Sequence, residues 1–373
     1  MKNKILFLFS FLSLIGCSSL EQLQKKVIAP TQPKRSFSAK WGKNLDPTYL
    51  SGNLPIHLNG PATYEGNIFI GSSGNGFLSI DERDGKILWK ISENETYHSS
   101  PLVAGDSVIY GTESGRIKSR KMTNGELNFE LDLGASVDGN PIVSKGRLFI
   151  QLRNHQVFSL DASTGKILWS YKKSVTNKTT IQGVGEGLVD KNSVIFGFAD
   201  GDLLSFRVET GDIIWERKIG QSVDKFMDLN WPMVKFNDAL ATVDAAGNLY
   251  LVRFSDGEIL NQFSIGVSTN LVLHEGSLYF GDTSGSLNQL DRELKVTELA
   301  KFSKRTLSRV GIWDGKIIAG DINGLVSTFS LQERKLLARK YLGNELSTIF
   351  RRPLKGDLGG LIMFTSRGRL YYF

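Results

Sequence analysis

Apolar and polar positions along this chain recur with a period of about forty residues, and that recurrence predicts its architecture. Each period opens with an apolar run. Examples are Asn67-Ile68-Phe69-Ile70, Ser107-Val108-Ile109-Tyr110, Arg147-Leu148-Phe149-Ile150, Ser193-Val194-Ile195-Phe196 and Ser277-Leu278-Tyr279-Phe280. A turn follows, centred on Asn75, Gly115, His155, Gly201, Gly247, Gly285, Gly324 and Gly368. Six of these eight are glycine, as a tight hairpin with positive φ demands, and Asn75 tolerates the same conformation. The next strand alternates with period two, as in Leu249, Leu251 and Arg253. A second turn reads Asp84-Gly85-Lys86, Asn124-Gly125-Glu126, Thr164-Gly165-Lys166, Thr210-Gly211-Asp212 and Asp256-Gly257-Glu258. Four residues past three of these glycines stand Trp89, Trp169 and Trp215, with Phe129 in the second unit. The indoles read as packing residues between units.

Strands separated by such turns make four-stranded antiparallel units. No helical periodicity interrupts them. The expected fold is all-β, an eight-bladed β-propeller of four-stranded antiparallel blades. An open β-solenoid is the rival, but it leaves sheet edges exposed. The two ends of the chain argue for closure. The last unit stops at Phe373, just after the strand following Gly368, and so lacks its outer strand. Phe37-Ser38-Ala39-Lys40-Trp41 resembles Ile87-Leu88-Trp89-Lys90. The N-terminal segment is expected to pair with the C-terminal one, Trp41 taking the role of Trp89.

The period lengthens twice in succession, between His155 and Gly201 and between Gly201 and Gly247. The extra residues follow Trp169 and Trp215, at the same point of adjacent units. Two longer loops, 174–186 and 221–232, therefore fall side by side on one face. Insertions on one face of a repeat protein often mark its binding face. The second loop carries Phe226, Met227, Leu229 and Trp231. Aromatics and Met are enriched at interface cores, though each of these residues taken singly reads as packing under its own loop.

Only one cysteine is present, Cys17, and it closes the sequence Leu14-Ile15-Gly16-Cys17. Lys2 and Lys4 precede an apolar stretch from Ile5 to Ile15. That is the layout of a secretory signal, too short to span a bilayer. Leu-Ile-Gly-Cys resembles the lipobox of bacterial lipoproteins, which implies cleavage before Cys17 and acylation of Cys17. Ser18, in place of Asp, implies sorting to the outer membrane. The expected organisation is a signal peptide at 1–16, a lipidated tether at 17–37 and the propeller at 38–373. With Cys17 acylated, no disulfide is available. The net charge of +7 is dispersed in short doublets such as Lys172-Lys173 and Arg351-Arg352. A nucleic-acid binder gathers its basic residues on one element, so no nucleic-acid partner is expected.

Catalytic chemistry is not evident. His57, His98, His155 and His274 are scattered, without HExxH or paired spacing. There is no GxSxG elbow and no P-loop, and acidic residues recur at turns, where they bond local backbone. No metal, cofactor or catalytic residue is expected. Thr164-Gly165-Lys166-Ile167-Leu168-Trp169 is similar to the repeat of pyrroloquinoline-quinone dehydrogenases. That family commonly carries a vicinal disulfide, which this chain lacks.

Lipobox, short tether, eight quinoprotein-like repeats and no active site together resemble the BamB family of outer-membrane assembly lipoproteins. The resemblance implies a non-enzymatic scaffold, lipid-anchored at the periplasmic face of the outer membrane. It implies docking on the POTRA domains of BamA within the Bam complex, and assistance to insertion of outer-membrane proteins, whose unfolded chains are a further implied partner. In that family two neighbouring loops make the contact, one with a Leu-x-Leu-Arg-Gly pattern and one with Asp-x-Asp before a Pro. Here Thr179, Thr180, Ile181, Gln182 and Gly183 match the first, and Asp228, Leu229, Asn230, Trp231 and Pro232 the second. The implied contact residues are Thr179, Ile181, Gln182, Asp228 and Asn230. Thr179 replaces an apolar residue, Gln182 an arginine and Asn230 an acid, so an interface here relies less on charge. A periplasmic propeller that binds sugar or peptidoglycan, or a quinoprotein-like dehydrogenase, are the alternatives.

Overall fold

A computed structural model describes residues 38–45, 59–175, 184–219, 228–229, 232–342 and 350–373. Among them every regular element is a strand, and the strands form eight four-stranded antiparallel sheets. Seven sheets are continuous in the chain: 62–91, 102–132, 142–172, 188–218, 234–264, 272–301 and 307–341. They are blades 1 to 7. Blade 8 is built from both ends of the protein. Strands Phe350–Lys355, Leu361–Thr365 and Arg369–Tyr372 supply three members, and Trp41–Asn44 supplies the outermost. The register runs Trp41↔Tyr372, Gly42↔Tyr371, Lys43↔Leu370 and Asn44↔Arg369. The closure expected from the two sequence ends is therefore present, and the eight-bladed propeller with it. First strands of neighbouring blades lie against one another, as Ala62–Tyr64 does with Leu102–Ala104. That places first strands around the axis and fourth strands on the rim.

Second and third strands are buried on both faces. In blade 5, Leu249, Tyr250, Leu251 and Val252 are all enclosed. The period-two pattern expected for third strands does not translate into one wet face. The reason is that each blade is sandwiched between two others. Ile109 and Ile117 of blade 2 share a cluster with Leu148, Ile150 and Leu160 of blade 3. Each such side chain contributes about 1.5–3 kcal/mol on full burial. Alternation appears instead in fourth strands, such as Leu127–Asp132 and Ile259–Ser264, which have a neighbour on one edge only.

The first turns repeat one hydrogen bond: Gly115 N donates to Thr112 O, His155 N to Leu152 O, Gly201 N to Phe198 O and Gly247 N to Asp244 O. Asn75 N donates to Ser72 O in the same way. Its φ is not left-handed, however. In blade 1 the positive φ falls one residue later, on Gly76 at +83°. Asn75 is used through its side chain, which donates to Leu45 O across the seam of blade 8 and accepts from Lys90 Nζ. His155 holds φ +64° without being glycine.

The aromatic positions lock blade to blade. Trp89 Nε1 donates to Met122 O at 2.8 Å, Trp169 Nε1 to Val208 O at 2.9 Å and Trp215 Nε1 to Phe254 O at 2.8 Å. Each acceptor belongs to the following blade. Each ring also covers that blade's second-turn glycine: Trp89 lies on Gly125, Phe129 on Gly165, Trp169 on Gly211 and Trp215 on Gly257. A side chain there would displace the ring, which is why glycine and aromatic recur together. In blade 5 Asn261 holds the aromatic position, and the turn of blade 6 carries Leu294 at φ +66°.

Candidate functional site

The start of each blade-to-blade connector bonds back to the first turn of its own blade. Leu133 N donates to Gly115 O, Lys173 N to His155 O, Ile219 N to Gly201 O and Val267 N to Gly247 O. First turns and connectors therefore share one end of the propeller. The two long connectors leave blades 3 and 4, so their stems are neighbours at that end. Thr179, Ile181, Gln182 and Asn230 lie outside the described residues, as do Cys17, Phe226, Met227 and Trp231. Their placement is not described; the stems beneath them are.

A charge network joins the two stems. Lys173, the last residue before the first long connector, reaches Asp202 at 2.7 Å, Glu216 at 2.5 Å and Asp200 at 3.5 Å. Its ammonium also sits 5.7 Å from the centre of the Phe198 ring. Lys218, at the start of the second connector, pairs with Asp202 at 3.5 Å and donates to Asp200 O. Burial alone would depress the Lys173 pKa, but its bonds to Asp202 and Glu216 outweigh that and raise it. Lys173 is thus a fixed cation, not a base. Burial works to raise the Asp202 pKa, and the Lys173 bond and charge reverse that and hold it below 3.8. Asp200 shifts the other way, raised by burial and by the charge of Asp202.

Asp228 is 0 % exposed, and Leu229 beside it is 3 % exposed. Leu229 N donates to Phe198 O at 3.2 Å. Its own carbonyl would lie 2.6 Å from a Cβ added at Gly197, so the second connector returns against bare backbone. Leu229 packs with Ile195, Leu203, Trp215 and Met233, which answers for this residue the expectation that it packs beneath its loop. His155 lies between the stems. Burial lowers its pKa, while Asp200 and Asp228 pull it up, and the net shift is downward. On the first stem Asn140 Nδ2 donates to Glu186 Oε2 at 3.0 Å, tying blade 3 to blade 4.

Sequence reasoning found these loops by length and missed what braces them. The signal was present: Asp200-Gly201-Asp202 flanks a first turn with two acids, and Lys172-Lys173 opens the connector. The pattern was unreadable because its members lie far apart in the chain. Farther along the same end, His98 Nδ1 lies 3.0 Å from Asp138 Oδ1, and Arg153 Nε donates to Asp138 Oδ2 at 2.5 Å. His274 stands apart on the first strand of blade 6, and His57 lies outside the described residues. Among the described residues no three His, Cys, Asp or Glu side chains gather as a cation site, and no helix is long and apolar enough to cross a membrane.

Comparison with known proteins agrees with this architecture. The chain is 22% identical over 361 residues to the outer membrane protein assembly factor BamB of Yersinia pestis, covering 91% of each chain. It is 21% identical over 382 residues to that of Shewanella oneidensis, covering 95% of this chain and 94% of the other. Among solved structures, BamB from Moraxella catarrhalis superposes with a TM-score of 0.72 at 16% identity, over 90% of this chain and 96% of that one. Quinohemoprotein alcohol dehydrogenase from Comamonas testosteroni shares the fold with a TM-score of 0.67 at 11% identity, over 90% of this chain and 76% of the enzyme. The family profile described as outer membrane protein assembly factor BamB matches residues 38–119 and 79–295, more than half of the chain, and the protein therefore belongs to the BamB family.

Proposed function

We propose that this protein is a non-enzymatic assembly factor for outer-membrane proteins, held by lipid on Cys17 at the periplasmic face of the outer membrane. On this reading the signal at 1–16 is removed, and residues 17–37 tether the propeller. The propeller docks on the POTRA domains of BamA, as a member of the Bam complex, through the 174–186 and 221–232 connectors. The observation that carries the reading is the joining of both connector stems by Lys173 and its three carboxylate partners. A network that ties the two stems fixes their spacing, and a fixed spacing lowers the ordering cost of association. Family membership supplies the process.

Within the proposed epitope the residues divide by role. Thr179, Ile181, Gln182 and Asn230 are assigned to direct contact. Asp228 is wholly enclosed, so its part is to hold the second stem while its neighbours meet the partner. A scaffold of this kind needs no cofactor and no metal. Its lipids supply the membrane attachment, since each buried CH₂ contributes about 0.8 kcal/mol.

The test is direct titration of the chain from residue 17 onward, carrying Cys17→Ser, against the BamA POTRA domains of the same organism. Ile181→Asp is expected to weaken binding tenfold or more, about 1.4 kcal/mol, with circular dichroism unchanged. A folded wild-type chain that does not bind sinks the docking surface. It also returns the sugar or peptidoglycan module to first place. Incorporation of labelled palmitate in cells, abolished by Cys17→Ser, checks the anchor separately.

A further inference from the structure

The outer strand of each blade has a sheet neighbour on one edge only. An open edge presents a row of backbone N–H and C=O groups, and folded proteins protect it with charge, proline or a covering segment. Seven of the eight outer strands here carry charge. Those of blades 1 to 4 hold Lys90, Glu130, Lys172 and Glu216, and those of blades 6 to 8 hold Glu298, Lys335 and Lys43. The outer strand of blade 5, Ile259–Ser264, reads Ile-Leu-Asn-Gln-Phe-Ser. It has no charged residue, no proline and no glycine. The charge that precedes it, Glu258, is tied to Arg253.

The third strand beside it fixes which backbone groups face outward. Arg253 N donates to Glu258 O at 2.8 Å, and Gly257 N donates to Arg253 O at 3.0 Å. Arg253 thus turns its backbone groups toward the outer strand, and Leu251 and Leu249 do the same at two-residue steps. Their partners are Asn261 and Phe263. The N–H and C=O groups of Gln262 and Ser264 therefore point away from the blade. Among the described residues nothing bonds them. The side chains of Leu260, Gln262 and Ser264 are exposed, Leu260 to 40 %. Ile259 packs against the cluster of Trp215 and Val252, and Phe263 against that of Leu249 and Leu251. The strand is held in place while its edge stays open.

We propose that the outer edge of blade 5 binds an extended, uncharged segment of another polypeptide, with alternating apolar residues, as a fifth strand of that blade. A row of outward N–H and C=O groups is matched by extended backbone, and not by a lipid or sugar surface. A charged segment would bring its ions against Leu260 with no counter-charge on the strand. A second copy of this chain fits less well. Two rims meeting edge to edge would touch along one line about 20 Å long and curve away on both sides, whereas stable pairs of folded proteins bury about 1,200 Å² or more. A free segment can lay its side chains along both faces of the strand. The edge contains no residue of the 174–186 or 221–232 connectors, so it does not depend on their role.

The test uses the chain from residue 17 with Cys17→Ser, whose ring is closed by its own terminal strand. The probe is a fluorescein-labelled peptide whose six central residues alternate threonine and valine, with a polyethylene glycol tail for solubility. Anisotropy is expected to report binding that salt does not weaken. Two further peptides carry N-methyl groups on one or the other alternate set of central residues. One set is expected to lower affinity tenfold or more, because it removes the donors that face the edge, and the other to retain binding. Gln262→Lys, which gives this strand the charge its counterparts have, is expected to lower affinity tenfold or more with an unchanged urea midpoint. Ser170→Lys, at the matching position of blade 3, is expected to leave affinity unchanged. Absence of binding, retention by both N-methylated peptides, or equal loss from Gln262→Lys and Ser170→Lys overturns the proposal. So does a chain that ignores the peptide but self-associates in sedimentation velocity in a manner lost on Gln262→Lys; that result assigns the edge to a second copy.

Discussion

The indole of Trp41 lies on Gly85, across the seam where the two ends of the chain meet. A Cβ added at Gly85 would come within 2.9 Å of the indole carbons. Trp41 Nε1 donates to Glu82 O at 2.9 Å, and the ring stacks on Tyr372 at 5.7 Å between centroids. This repeats, without covalent continuity, the lock that Trp89, Trp169 and Trp215 make between blades joined by peptide bonds. Ring closure therefore reuses the ordinary joint of the fold.

The joint is expected to be a stability determinant. Trp41→Ala removes a half-buried indole and should cost about 2–4 kcal/mol in denaturant unfolding. Gly85→Ala adds a side chain at φ +70° and pushes the indole away, costing about 2 kcal/mol. Removing residues 37–45 deprives blade 8 of its outer strand and should abolish the single cooperative transition. A truncated chain that still unfolds cooperatively near the wild-type midpoint contradicts the closure argument.

The first turn of blade 1 offers a sharper contrast. Gly76 holds φ +83°, and a Cβ there would overlap the carbonyl oxygen of Ile91. Gly76→Ala is expected to cost about 3 kcal/mol, since both backbone strain and overlap act. Asn75→Ala loses only the bonds to Leu45 and Lys90 and should cost about 1 kcal/mol. Thermal or urea melts of the two variants order them directly, and a larger loss for Asn75→Ala would return the demanding position to Asn75.

Removing the cation beneath the two connectors should change the pH profile of stability. In the wild type Asp202 has a lowered folded pKa. Its contribution is present above the unfolded value of 3.8 and is lost as pH falls through the folded value. Lys173→Met leaves only the half-exposed Lys218 to oppose burial and Asp200–Asp202 repulsion, so both carboxyls rise. The variant should be less stable by about 2 kcal/mol at neutral pH, with the deficit shrinking as acid protonates the pair. Urea midpoints at neutral pH and near pH 4 measure this. A deficit independent of pH means that Lys173 acts through packing alone.

His155 titrates in the opposite sense to a paired histidine. Burial lowers its folded pKa below 6.5, so the neutral ring is favoured in the folded state. Stability is full above the unfolded value and falls as pH drops through the folded one, because the unfolded chain takes up the proton first. His155→Gly removes this term and suits φ +64°, a conformation costing a non-glycine residue about 1 kcal/mol. The variant should match or exceed wild-type stability at acid pH. A steeper acid loss in His155→Gly than in wild type contradicts this reading.

Much of the protein was legible in the chain because its information is local and repeated. Turn glycine, apolar run and aromatic recur at fixed offsets, and each offset reports one hairpin or one blade contact. The missing outer strand of the last unit and its copy before Trp41 made closure readable as well. The two long connectors were legible as departures from period. What failed was finer. Asn75 and Gly76 are adjacent, and only the hairpin geometry decides which of them turns left-handed. The alternation of Leu249, Leu251 and Arg253 marks a strand but does not tell how many of its faces are buried, and the neighbouring blades bury both.

By itself, then, the sequence determined the strand count, the blade order and the seam, because each follows from neighbours within one period. The tertiary structure decided which charges meet. Lys173, Asp202 and Glu216 come from separate stretches of the chain, and Lys43 reaches the end that Lys301 and Arg367 occupy only once the ring has closed. Pairing among distant ions depends on distance in space, which a linear pattern does not carry. The same closure that gives every blade two neighbours also decides which rings meet across the seam, as Trp41 and Tyr372 do.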